Sequence, residues 1–187
     1  MELIASDNHG GLVKAARRYV QGAIWQRCQA HFTRNVLKVT PKHLRSEMTA
    51  WLRRIFRSEN QAEARSAFEA LAEEFEGKAE AALEILEAGL EDAIAVLVLP
   101  AKYRRRLRTT NMLERLNEEL RRRERVIRIF PNNDSALRMI GALLVEQHER
   151  WISSKRYFNM DEYESWRQVR QAHAEAENAP APMHQIA

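Results

Sequence analysis

The chain has a single cysteine, Cys28, so it closes no internal disulfide and suits a reducing compartment. Its 6 glycines and 5 prolines are too few for a loop-rich or low-complexity protein. Long apolar runs are missing as well. The longest, which ends at Leu99 before Pro100, falls far short of the roughly 20 residues that a membrane-spanning helix needs. The opening "MELIASD" lacks the basic and apolar regions of a signal peptide, so the expected location is the cytoplasm, with no membrane partner.

What is present is an ordinary globular composition: 187 residues, 45% hydrophobic and 30% charged, enough for one domain or part of a larger one. The net charge of +4 hides a strong pattern. Residues 1–57 carry 11 Lys/Arg against 3 Asp/Glu, and residues 58–95 carry 2 against 11. Residues 96–130 return to 11 against 4, and residues 131–187 carry 6 against 8. Two basic blocks therefore flank an acidic one.

"ELIAS" reads as a short strand that ends at Asp7 before the turn Asn8-His9-Gly10-Gly11. Leu12, Ala15, Ala16, Tyr19 and Val20 recur at helical spacing, and Gly22 stops that helix. "AIWQRCQ" alternates as a second strand would. Helix is expected from Ala30 to Lys38, with Phe32, Val36 and Leu37 facing inward, and Pro41 ends it. Residues 42–93 are expected to be helical, with stripes of Leu44, Met48, Trp51, Leu52 and Ile55, then Phe68, Leu71 and Phe75 closed by Gly77, then Ala82, Leu83, Leu86 and Leu90. The acidic residues of 58–93 are read as solvated surface.

"AIAVLVLP" is equally a buried helix end or a strand by periodicity. A cap at Thr109 or Thr110 opens a helix with an apolar stripe of Leu113, Leu116 and Leu120. "VIRIFP" is expected to be extended, closed by Pro131, and helix resumes near Ser135 to about Trp151. Residues 171–187 lack apolar periodicity and are expected to be a disordered tail. The fold class is thus mostly α with one or two short strands (α/β). A strand at the very start of the chain leaves its backbone groups unpaired unless others join it, so further strands are expected upstream.

Three constellations carry possible chemistry. Asp7, at a strand end before a flexible turn, is a rigidly held carboxylate suited to metal ligation, or simply the residue that opens the turn. Cys28 and His31 form a C-x2-H pair. A closed zinc site needs four ligands, and His9, His43, His148, His173 and His184 offer no matching spacing, so a packing role for the pair is expected. From Lys102 to Arg128 stand ten arginines and one lysine. Glu118–Arg122 and Glu119–Arg123 fit i,i+4 pairing. Arg104, Arg105, Arg106, Arg108, Arg115, Arg121 and Arg125 are left without an obvious local partner, and a nucleic-acid backbone is the economical one. A solvated face, or docking of the acidic helices, is the plain alternative. Glu114, Glu118 and Glu119 lie among these cations and stay ionised. Spacing alone does not say which of them could hold a metal.

Three stretches, "ASDNHGGLVKAARRYVQGAIWQRCQAHFTRNVL" (5–37), "RTTNMLERLNEELRRRERVIRIFPNNDSALRMIGALL" (108–144) and "HERWISSKRYFNM" (148–160), together resemble the C-terminal half of the Mutator-type transposases of bacterial insertion sequences, in the DDE superfamily. The resemblance implies a partial RNase H-like catalytic core with an all-helical insertion, and cut-and-paste or copy-out DNA transposition with Mg²⁺ (or Mn²⁺). In the family two Asp and one Glu bind a metal pair, one ion activating the attacking oxygen and the other stabilising the leaving one. Asp7 matches the second Asp and Glu114 the Glu, so both are the catalytic and metal-binding expectations. Cys28 and His31 match the C-x2-H signature, read as structural. Asn111, Arg115, Asn117, Arg121, Arg122 and Arg123 match positions around the Glu, with the asparagines read as structural and the arginines as DNA-binding.

The implied layout is core at 1–40, helical insertion at 41–100, core again at 101–170, and the tail. The first Asp of the triad and the DNA-end-binding region would precede Asp7. The expectation is therefore a transposase fragment that is inactive alone. Its expected partners are insertion-sequence ends, target DNA, and a second copy or full-length transposase. Two other functions compete: a non-catalytic DNA-binding or transposase-interacting module, and a helical interaction domain whose charge blocks pair internally.

Overall fold

A computed structural model describes residues 3–153 and 158–177. These divide into two compact units between Val126 and Ile127.

The first unit opens on a β-α-β hand. Strand β1 (Leu3–Ser6) pairs in parallel with β2 (Ile24–Arg27), Ser6 opposite Arg27, and α1 (Gly10–Tyr19) is the crossover. The crossover packs with Val13, Ala16 and Val20 half-buried, one position along from part of the expected stripe. Leu12 and Tyr19 are exposed instead. Gly22, at φ +81°, makes the turn into β2, a conformation that costs glycine nothing.

Helix α2 (Gln29–Val39) follows directly. Pro41 then caps a short 3₁₀ turn, Lys42–Leu44, that leads into α3 (Arg45–Phe56). After α3 come α4 (Gln61–Phe75) and α5 (Glu80–Ile94). Gly77, at φ +69°, lies between these two helices. Their predicted stripes form one core. Phe32, Val36, Met48, Leu52, Ile55, Leu71, Phe75, Leu86 and Ile94 are all buried in it. The acidic segment is therefore solvated on one face and central to the core on the other. The segment left open between helix and strand ends α5 and continues as a 3₁₀ turn, Ala95–Val98.

Two buried amides lock the sheet to that turn. Gln26 Nε2 donates to the Ala93 carbonyl at 2.8 Å and Val96 N–H donates to Gln26 Oε1 at 2.6 Å, while Gln29 Nε2 reaches the same Ala93 carbonyl at 2.8 Å. These bonds satisfy backbone groups that the α5 C-terminus would otherwise bury unpaired. Arg27 stacks its guanidinium 4.3 Å from the Phe32 ring centroid. Burial lowers its pKa and Asp92 opposes that shift.

Helix α6 (Ala101–Leu107) and α7 (Asn111–Ile127) complete the unit. Residues 126 and 127, expected to be extended, belong to α7, and the chain leaves the helix through Arg128 at φ 59°. The second unit holds α8 (Asn133–Ser153) and α9 (Met160–Glu177). Helix α9 corrects the expected tail over 171–177, because Ala and Glu favour helix without any apolar stripe. Residues 178–187 lie outside the described residues.

Candidate metal and nucleic-acid site

The site is built where the N-terminal ends of α2 and α7 are stitched together. Cys28 caps α2, and its N–H donates to the Ser6 carbonyl at 2.7 Å, which carries the sheet's pairing one residue beyond β2. Gln29 N–H donates to the Arg108 carbonyl at 2.9 Å. Thr110 N–H then donates to Cys28 Sγ at 3.4 Å, and the Thr110 hydroxyl oxygen lies 3.4 Å from the same sulfur. Residues distant in sequence are thereby fixed at the end of β1.

Glu114 sits in the first turn of α7, its N–H bonded to the Thr110 carbonyl at 3.0 Å. Its Oε1 accepts from the Thr110 hydroxyl at 2.9 Å and lies 3.5 Å from His31 Nδ1. Its Oε2 lies 3.8 Å from Arg34. His31 Nδ1 is also 3.3 Å from Cys28 Sγ. Cys28, His31 and Glu114 thus form one group whose ligand atoms all lie within 4.8 Å of one another. Burial raises the Cys28 thiol's pKa, but hydrogen bonds from Thr110 and His31 outweigh it and the net shift is downward.

Asp7 follows Ser6 directly, and the end of its strand is tied down. Trp25 Nε1 donates to Ser6 Oγ at 2.9 Å, and that hydroxyl donates to the Asp7 carbonyl at 2.8 Å. The Asp7 Oδ1 atom is buried and accepts no hydrogen bond. A buried carboxylate oxygen without a partner is costly unless a cation or water meets it. Asp7 stands outside the Cys28–His31–Glu114 group.

The predicted arginines separate into kinds. Arg104 is engaged by backbone carbonyls: its Nε donates to that of Leu99 and its guanidinium reaches that of Ser58 at 3.3 Å. Arg106 and Arg108 are half-buried, and Arg105 is exposed. On α7, Arg115, Arg121, Arg122, Arg123 and Arg125 are all exposed, as are Asn111 and Asn117. Arg122 joins Glu119 rather than Glu118, at 2.7 Å, and Arg123 joins it at 3.1 Å. These hydrogen bonds hold the Glu119 carboxyl down at about 2. Sequence reasoning missed Arg53 and Arg57. With Arg108 they line an open cavity of about 240 Å³ that also touches Gln29, Ala30 and Thr109, beside the α2–α7 junction.

Over residues 1–154 the chain matches the family described as Transposase, Mutator family. It belongs to the Mutator family of transposases. It is 40% identical over 162 residues to the transposase for insertion sequence element ISRM5 of Rhizobium meliloti (strain 1021), covering 87% of this chain and 41% of that one. It is 42% identical over 163 residues to the transposase for IS256 in transposon Tn4001 of Staphylococcus aureus, covering 86% and 42%. The transposase for IS1081 of Mycobacterium tuberculosis (strain ATCC 25618 / H37Rv) is 35% identical over 163 residues, covering 85% and 38%. The chain of this Mutator-family member thus spans about two fifths of the length of these curated relatives. Among its described residues no helix is long and apolar enough to cross a membrane.

Proposed function

We propose that this chain supplies two metal-holding carboxylates, Asp7 and Glu114, and a DNA-gripping surface to a transposase that moves an insertion sequence by strand cleavage and transfer. The observation that carries this reading is the Asp7 Oδ1 atom, buried without a partner at the end of a strand whose last carbonyl is bonded to Cys28, the residue that also holds the Glu114 network. An oxygen donor of this kind fits a hard divalent cation such as Mg²⁺ or Mn²⁺. When bound, such ions supply charge neutralisation at the attacking and leaving oxygens. The chain's own residues fix the donors: Thr110 orients Glu114, and the Ser6–Trp25 pair orients the segment that bears Asp7.

The parallel β1-α1-β2 unit with Asp7 at its strand end supports placing these residues in an RNase H-like core. Arg53, Arg57 and Arg108 around the open cavity, with Arg115, Arg121 and Arg125 on α7, are suited to phosphate oxygens, and their partner is DNA in the cytoplasm. Residues 7 and 114 supply two carboxylates, whereas the reaction implied for the family uses three. The 187-residue chain alone therefore does not complete strand transfer.

A strand-transfer assay on a matching insertion-sequence end, with Mg²⁺, tests this. The chain alone gives no product; robust product that Asp7→Asn abolishes would overturn the inactivity and keep the site. A second reading, a module that binds DNA or another transposase chain without catalysis, is favoured by the exposure of Met112 and Leu113 on α7. It predicts DNA binding that is indifferent to Mg²⁺ and to Asp7→Asn.

A further inference from the structure

The donor set beside Asp7 is not one that Mg²⁺ selects. Hard cations take oxygen ligands, whereas sulfur and imidazole favour borderline and softer ions. Cys28 Sγ, His31 Nδ1 and Glu114 Oε1 present one sulfur, one nitrogen and one oxygen within 4.8 Å of one another. We propose that these three side chains form a binding site for a transition-metal dication of the Zn²⁺ class, with the fourth position open.

The geometry fits. Tetrahedral Zn²⁺, with bonds of about 2.3 Å to sulfur and about 2.0–2.1 Å to nitrogen and oxygen, sets sulfur and nitrogen roughly 3.5 Å apart, and nitrogen and oxygen roughly 3.4 Å apart. The corresponding separations here are 3.3 Å for Sγ to Nδ1 and 3.5 Å for Nδ1 to Oε1. The side chains are held before any ion arrives. Cys28 and His31 occupy the cap and first turn of α2, Glu114 the first turn of α7, and the Thr110 N–H, just before α7, donates to Cys28 Sγ and ties the two helix starts together. Thr110 reaches both the sulfur and the carboxylate, as outer partners of metal ligands do. Cys28 is buried, but the side chains of His31 and Glu114 are 33% and 36% exposed, which gives an ion a way in.

The site goes beyond the transposase reading and does not need it. It shares Glu114 with that reading and not Asp7, so a Zn²⁺-loaded chain has its Glu114 Oε1 already engaged. The two sites can therefore be told apart.

Titration of the reduced chain with Co²⁺ is the test, read by the thiolate-to-cobalt charge-transfer band and the visible bands of tetrahedral cobalt, with Zn²⁺ as competitor. One Co²⁺ per chain is expected, displaced by Zn²⁺ and not by Mg²⁺. Cys28→Ser abolishes the charge-transfer band. Glu114→Gln, at a partly exposed position that leaves the fold intact by circular dichroism, weakens binding by roughly tenfold or more. Asp7→Asn leaves it unchanged. Absence of the band in the wild-type chain, its survival in Cys28→Ser, or wild-type affinity in Glu114→Gln would each overturn the proposal. So would equal losses in Asp7→Asn and Glu114→Gln, because the ion would then lie between the carboxylates.

Discussion

Glu119 holds two of the α7 arginines, Arg122 and Arg123, in a fork. With its carboxyl held at about 2, it remains ionised and paired throughout the neutral range. Both arginines are therefore partly spent on an internal acid. Glu119→Gln releases them and tightens binding to a random DNA duplex, with a steeper loss of affinity as salt rises, by about one further phosphate contact per freed arginine. Filter binding across a salt series checks it; an unchanged slope would show that these arginines never face phosphate. At this scale the sequence was only partly legible. The Cys28–His31 spacing is local and was visible. Its closure by Thr110, 82 residues from Cys28, was not. The reach of Arg104 to the Ser58 carbonyl, 46 residues away, was hidden for the same reason.

The elements follow their periodicity where a stripe meets a core. Helices α3, α4 and α5 bury the residues that a 3.6-residue period picks out, and Pro41 and Gly77 marked two of their boundaries, whereas the break between α3 and α4, where Asn60 caps α4, falls inside a stretch expected to be helical throughout. Helix α1 shows the limit. Its apolar residues share one broad face with Lys14, Arg17 and Arg18 opposite, and the sheet below decided which edge of that face packs, so Val13 and Ala16 turned inward and Leu12 and Tyr19 outward. Gly89 in α5 marks the tightest approach. A Cβ there would lie 2.2 Å from an Arg27 guanidinium nitrogen and 2.8 Å from the Phe32 ring. Gly89→Ala therefore gains helix propensity yet loses the Arg27–Phe32 stack, with a net destabilisation of about 1–3 kcal/mol by urea unfolding. Stabilisation would contradict the packing described.

The α4–α5 contact adds a pH term. Hydrogen bonds from Arg65 at 2.7 and 2.8 Å, ahead of its charge, hold the Glu91 carboxyl below its usual range. A depressed carboxyl contributes stability above its unfolded value, and that contribution fades as pH falls through the folded one. Glu91→Gln removes this slope from the acid limb of the stability curve. The pair is largely exposed, so solvent screens it and the amplitude is small.

At the scale of the whole molecule, the alternation of charge along the chain divides the work. The acidic middle segment packs its apolar faces into the core, while the basic segments on either side meet at the α2–α7 junction. DNA affinity should fall linearly on logarithmic axes as salt rises, by about 0.9 for each phosphate neutralised. Replacing Arg53, Arg57 and Arg108 together with Ala lowers that slope and leaves Mn²⁺ binding intact. The mostly helical class and the two short strands were legible in the residues. The family was legible from motifs, whereas the bonds that bring Ser6, Cys28 and Thr110 together leave no local signature.

The transposase reading proposes that Asp7 and Glu114 hold the same hard cation. It is tested most directly by a double-mutant cycle of Mn²⁺ affinity, measured by electron paramagnetic resonance on the folded chain. Asp7→Asn and Glu114→Gln should each weaken binding by about tenfold or more, with the double variant little worse than either. Independent, additive losses, or single variants that bind Mn²⁺ as the wild type does, would contradict it.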